Sequence, residues 1–207
     1  MKKYELVTND FKIVEGVKVY RIQALKDTTS ALKNKIGGYI ESEKNLSQEG
    51  NCWVSGSAVV FGNVRIKDNA VVSGRARISD NVVIKDNAII KGYAVIKDNA
   101  VIKDCAVIKD WAIIEEHAIV KGLAVIKDHA VIEDHAVIED WAVIEEHAVV
   151  KGLAIISDNA VIKDHAEIKD HAVIKDHAVI RDNTVIRRYA IISGNAVIED
   201  NAIIFGN

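Results

Sequence analysis

Residues 94–135 read AVIKDN AVIKDC AVIKDW AIIEEH AIVKGL AVIKDH AVIEDH, one hexad repeated seven times. The pattern continues in both directions. Cys52 to Asn207 is 156 residues, or 26 hexads without an insertion. Position 1 is Ala in 22 of them, the exceptions being Cys52, Val64, Val82 and Thr184; position 3 is Ile or Val in all 26. A fixed short period of this kind outranks any local propensity as a fold signal.

Positions 1 to 4 alternate small, branched, branched, charged. In a strand, alternate side chains face opposite ways. With position 3 inward, position 1 is inward too, and positions 2 and 4 point out. Positions 5 and 6 are rich in Asp, Glu, Gly, Asn and His and read as a corner, because Asn, Asp and Gly tolerate positive φ. Tyr93, Leu123 and Leu153 at position 6 each follow a glycine. That pairing predicts that glycine takes the left-handed conformation where position 6 cannot; Trp111, Trp141 and Tyr189 fall outside the rule. One strand and a corner cannot fold alone. Burying an Ile yields roughly 1.5–3 kcal/mol, against about 1–2 kcal/mol for ordering each residue. Stacking of neighbouring units has to close the gap.

The rest of the composition narrows the class. Among 207 residues, 27 are basic and 30 acidic, a net charge of −3. That balance gives no electrostatic basis for binding nucleic acid or an anionic membrane. No apolar stretch is long enough to predict a spanning helix, and the N-terminal residues lack the apolar run of a signal peptide. Cys52 and Cys105 have neither metal-ligand spacing nor an evident pairing, so a reducing, cytoplasmic setting is expected. Proline is absent, as suits a chain whose backbone N–H groups are committed to ladders.

Residues 1–51 differ in character. YELV, FKIVE and VKVYRIQAL read as short strands. Residues 28–51 read as loop with one short helical turn. This segment is too small for a core of its own and is expected to cap the first coil. The organisation is thus 1–51, a cap, and 52–207, the repeat.

Read in phase as I-x-D-N-A-V, the hexad resembles the hexapeptide repeat of left-handed parallel β-helices. That resemblance covers residues 52–207. It implies an all-β triangular solenoid with three hexads per coil and a left hand, hence about 8.7 coils of 18 residues and a prism roughly 40 Å tall. The segment 37–54, GGYIESEKNLSQEGNCWV, is similar to an entry module of bacterial and phage-borne hexapeptide-repeat proteins, some labelled transferases.

With three hexads per coil, position 2 forms three outward columns. One is unbroken: Val71, Ile89, Val107, Val125, Val143, Val161, Val179, Val197. A second begins at Arg65 and continues Val83, Val101, Ile119, Val137, Ile155, Val173, Ile191. The third is interrupted by Arg77 and Glu167. Branched residues suit strands, but a stripe of eight on a flat wall marks an expected homo-oligomer interface. At position 4, Lys67, Lys85, Lys103 and Lys121 share a column, relieved by the corner aspartates Asp68, Asp86 and Asp104.

All seven histidines occupy position 6. His129, His147 and His165 share one corner. His117 and His135 share another, with Leu153 separating them from His171. His177 is on the third. The trio is the one place where imidazoles could hold a transition metal; the simpler expectation is that these are corner residues accepting positive φ, with no cofactor. A longer repeat relates WAIIEEHAIVKGLAVIKDH (111–129) to WAVIEEHAVVKGLAIISDN (141–159) at an offset of five hexads, which is not a whole number of coils. Trp111 and Trp141 therefore fall on different corners.

Many proteins with the resembled helix are acyltransferases using acetyl-CoA or acyl carrier protein, with a loop leaving the coil and a histidine base in a cleft between subunits. No such loop and no such histidine is identifiable here, and no three histidines converge as a zinc enzyme of that fold requires. The expectation is a non-enzymatic structural or interaction solenoid. It self-associates through its walls, or through the open end at AIIFGN, with no nucleic-acid or membrane partner. An acyltransferase is the alternative.

Overall fold

In the computed structural model, residues 2–207 are described and form a parallel β-solenoid of about nine turns. Three longer strands come first: β1 (Tyr4–Val14), β2 (Val17–Ala24) and β3 (Ile36–Ile40). Twenty-six short strands follow, β4 (Trp53–Val54) to β29 (Ile203–Phe205), one per hexad. Each pairs in parallel with the strand three hexads on, as in Val125 with Val143. Three walls result. Wall I has nine strands and starts at Trp53; wall II has 12 and includes β1–β3; wall III has eight and starts at Arg65. A rung is one strand of a wall, and corner I, II or III follows the wall of that number.

Alternation places the side chains as the hexad requires. From Ala58 to Ile180 the position 1 and position 3 residues are buried, and one core runs the length of the prism. Positions 2 and 4 face out. From residue 52 to residue 183 each hexad donates three inter-coil hydrogen bonds of one kind; in 70–75 these are Val71 N–H to the Ala88 carbonyl (2.9 Å), Ser73 N–H to Ile90 (2.9 Å) and Arg75 N–H to Gly92 (2.7 Å). The fold is all ladder and corner, so backbone polar groups are satisfied by repetition.

The corners correct the sequence-based expectation. Position 5, not position 6, is left-handed from Gly56 to Asp200: Asp68 has φ 59°, Glu146 59°, Gly122 69° and even Arg188 62°. The histidines at position 6 do not take positive φ, and a bulky residue there needs no glycine before it. The prevalence of Asp at position 5 has a second cause. Its carboxylate accepts the N–H of the position 5 residue one coil on, for example Asp134 from Gly152 at 2.8 Å and Asp182 from Asp200 at 3.0 Å. Asp combines αL tolerance with an acceptor of the right reach.

The solenoid also starts earlier than the hexads show. Ile40 and Leu46, both fully buried, occupy the wall II and wall III positions of an incomplete first coil; Ile40 pairs with Val60 and Leu46 bridges Ile66. Both offsets exceed three hexads by two positions, which hides this coil from a search for sixes. Residues 28–51, expected to carry a helical turn, contain strand β3 and no helix. Tyr4, Ile22 and Ala24 join the solenoid core. Lys3, also fully buried, seats its ammonium on the carbonyls of Cys52 (2.8 Å) and Glu49 (3.2 Å). The tip of the β1–β2 hairpin curls onto the outer surface of wall II. There Val14, Val17 and Val19 pack on Val59 and Phe61, and Glu15 pairs with Arg77.

Candidate functional site: walls and corners

The two apolar columns singled out in the sequence lie on walls I and III, and neither is covered by the hairpin. Most of their residues are half-buried. Exposure is greater at Ile89, Ile155, Ile191 and Val197. Wall II differs: Arg77 and Glu167 interrupt it, and the hairpin hides its first rung. Glu167 is held below the ordinary carboxylate range. Partial burial pushes it upward, but the Lys169 and Lys151 ammoniums, 3.0 and 3.3 Å away, outweigh that.

Position 4 and position 5 make alternating stripes around the prism. Lysines dominate the wall edge and carboxylates the adjoining corner, and the two touch within a rung, as in Lys85–Asp86 at 3.4 Å and Lys109–Asp110 at 3.6 Å. Lysine–glutamate pairs run between rungs: Lys127–Glu145 and Lys121–Glu139 at 2.6 Å, and Lys97–Glu115 at 2.8 Å. The glutamates raise the pKa of these three lysines above the ordinary value. Exposed pairs of this kind add little stability each, but they fix where charge sits.

Corner I carries a stack that extends beyond the histidines. Tyr93, Trp111, His129, His147 and His165 lie face to face with ring centroids 5.0–5.2 Å apart. Arg75 lies over the Tyr93 ring. On corner II, His117 stacks on His135 at 4.7 Å and His171 on Tyr189 at 4.8 Å. His177 is on corner III, with Asn159 3.5 Å from its Nε2. Trp111 and Trp141 are on different corners. The geometry explains what the trio can do. A metal shared by two imidazoles sits about 2.1 Å from each nitrogen, in both ring planes. The parallel rings of His129, His147 and His165, 5.0 Å apart, aim their lone pairs side by side rather than at one point. Among the described residues, no three His, Cys, Asp or Glu side chains converge on a metal position.

The five-hexad offset gives the corners a relation that the sequence alone left unread. It repeats Glu116, His117, Asp134 and His135 of corner II as Glu146, His147, Asp164 and His165 of corner I. In both copies the Glu and Asp carboxyl groups hydrogen-bond across the rungs, which pushes Glu116 and Glu146 above the ordinary carboxylate range. The same offset relates two open grooves. One, of about 250 Å³, is lined by Asp104, Cys105, Gly122, Leu123, Asp140 and Trp141 of corner III. The other, of about 420 Å³ on corner II, contains their counterparts Asp134, His135, Gly152, Leu153, Asp170 and His171, with Arg188 and Tyr189 added. Glycine at position 5 leaves the gap, and an exposed leucine floors it. Reading corner residues for conformation alone misses these grooves; the signal for them is a Gly-Leu pair one coil before Trp141 or His171.

Cys52 is buried at the cap, where burial raises its thiol and the adjacent Lys3 ammonium partly offsets that. Cys105 is exposed. Among the described residues, no helix is long and apolar enough to cross a membrane. No protein-family model matches the chain, and no curated protein matches it.

Proposed function

We propose that the chain is a self-associating structural or interaction solenoid whose partner is a second copy of itself. The observation behind this reading is the pair of uncovered walls with unbroken apolar columns, from Val71 to Val197 on wall I and from Val83 to Ile191 on wall III. Wall I is nine strands tall, about 43 Å, and about 17 Å wide. Docked face to face, two such walls remove roughly 1,400 Å² from water, within the range of stable specific interfaces. The walls are flat and uninterrupted, so any pair of copies meets rung against rung.

In the same reading, the solenoid is of the left-handed hexapeptide-repeat kind, supported by the Ala–Ile core, the Asp corners and the coil of three hexads. The acyltransferase chemistry found in many such proteins needs a donor site. Light scattering over a range of concentrations, together with acetyl-CoA titration by calorimetry, separates the two readings. Dimers or larger assemblies without acetyl-CoA binding support the scaffold. A monomer at high concentration, or stoichiometric acetyl-CoA binding, overturns it.

A further inference from the structure

On corner III an apolar file, a run of lysine–aspartate rungs and an open groove coincide. Lys67–Asp68, Lys85–Asp86 and Lys103–Asp104 occupy three successive rungs. The fourth is Lys121–Gly122, where the glycine replaces the acid and opens the groove. Above and below that gap stand Asp140 and Asp104, and beside it are Leu123, 45% exposed, and Trp141, 59% exposed. The lining carries two carboxylates and no basic group, with an apolar floor. Its chemistry fits an ammonium group on an aliphatic stem, which is a lysine side chain.

We propose that wall III and corner III form an isologous interface with a second copy, in which Lys121 of each molecule inserts into the Gly122 groove of the other. The inference rests on the self-association reading and specifies its surface. A two-fold axis parallel to the solenoid, running between the position 4 and position 5 columns, keeps rungs at equal height. It lays each lysine column on the other molecule's aspartate column. Lys85 then faces Asp86 of the second copy and Lys103 faces Asp104, while Lys121 faces Gly122. The same operation swings Leu123 and Trp141 over the second copy's Ile119 and Val137. Eight rungs, each about five positions of strand wide, give roughly 600 Å² per copy, or about 1,200 Å² in all, the lower limit of a stable specific interface. One rung opposes the match, Glu139–Asp140, and insertion exchanges the Lys121–Glu139 pair, 2.6 Å within the single chain, for the groove carboxylates; exposed pairs of that kind add little stability. The corner II groove is not equivalent in charge, because Arg188 lines it.

Two variants break the match in opposite ways. Lys121→Glu removes the inserted group and keeps the groove. Leu123→Lys keeps Lys121 and sets a like charge in the groove from an exposed position. Circular dichroism establishes that each remains folded, and sedimentation velocity reads association. The wild type is expected to dimerise, and each variant alone to associate about a hundredfold more weakly or not at all. An equimolar mixture is expected to recover association, since Lys121 then meets an unaltered groove at one site and the introduced Glu meets the introduced Lys at the other. A wild-type dimer with Lys121→Glu still dimeric rejects this surface while leaving self-association intact. Two monomeric variants without recovery on mixing reject the lysine-in-groove pairing. A monomeric wild type rejects both the surface and the reading beneath it. If Leu123→Lys fails to fold, Trp141→Lys sets the same charge from the other exposed side of the groove and takes its place in the mixture.

Discussion

Val131 and Ile132 are neighbours on wall II, away from the proposed interface, and they face opposite ways. Val131 is half-exposed and Ile132 fully buried. Ile132→Ala removes three carbons from a position stacked between Ile114 and Val150 of the adjoining coils. The transfer loss is about 2.4 kcal/mol at ~0.8 kcal/mol per buried carbon. The coils above and below are held at ladder spacing and cannot collapse into the void, so a cavity contribution adds to it. The total expected is about 3–4 kcal/mol, inside the range measured for such truncations. Val131→Ala loses contact with lysine and glutamate stems and some strand preference, about 0.5–1 kcal/mol. Urea unfolding followed by circular dichroism gives both values from the midpoint and slope. Equal losses, or a larger loss at Val131, would refute the inward assignment of position 3 and the core argument built on it.

Two further outcomes follow from the corners. Gly152→Ala and Gly194→Ala share positive φ, 75° and 70°, and so share the backbone cost of about 1 kcal/mol. The added methyl at Gly152 meets the Asp170 amide nitrogen at 2.7 Å, whereas Gly194 has open space; thermal unfolding is therefore expected to show the larger loss at Gly152, and equal losses would mean the coils separate easily there. Glu146 is raised above 4.5 by its hydrogen bond with Asp164. A folded-state pKa above the unfolded one contributes stability that is present below the unfolded value and lost as pH rises through the folded value. Glu146→Gln keeps a donor without the charge. Its melting temperature is expected to exceed that of the wild type at neutral pH and to vary less as pH rises from the ordinary carboxylate value through the raised one, and a parallel pH profile would count against the carboxyl pair.

The solenoid was legible in residues 52–207 from two sources. Period 2 within a strand sets the inward pair Ala and Ile, and the three-hexad coil, which the resemblance implied and the six-residue period alone does not fix, sets which corner each histidine shares. The columns through Val125 and His147 needed no structure to find. What escaped the sequence depends on spacing that departs from six or on contacts between distant segments. Ile40 and Leu46 complete a longer first coil, so Trp53 only looked like the start. The hairpin tip at Glu15 reaches Arg77 by folding over a wall, which no local pattern encodes. The left-handed residue was placed one position late because Asn and Asp both tolerate that conformation. What separates them is the reach of the Asp134 carboxylate to the Gly152 N–H, a contact from one coil to the next.

Small-angle X-ray scattering, recorded with the molecular mass from the same samples, tests the central claim most directly. Side-by-side association predicts twice the chain mass with a maximum dimension close to that of one solenoid and a doubled cross-section. The mass of a single chain would contradict self-association. A doubled mass with a doubled length would place the contact at the ends of the prism and contradict the assignment to its walls.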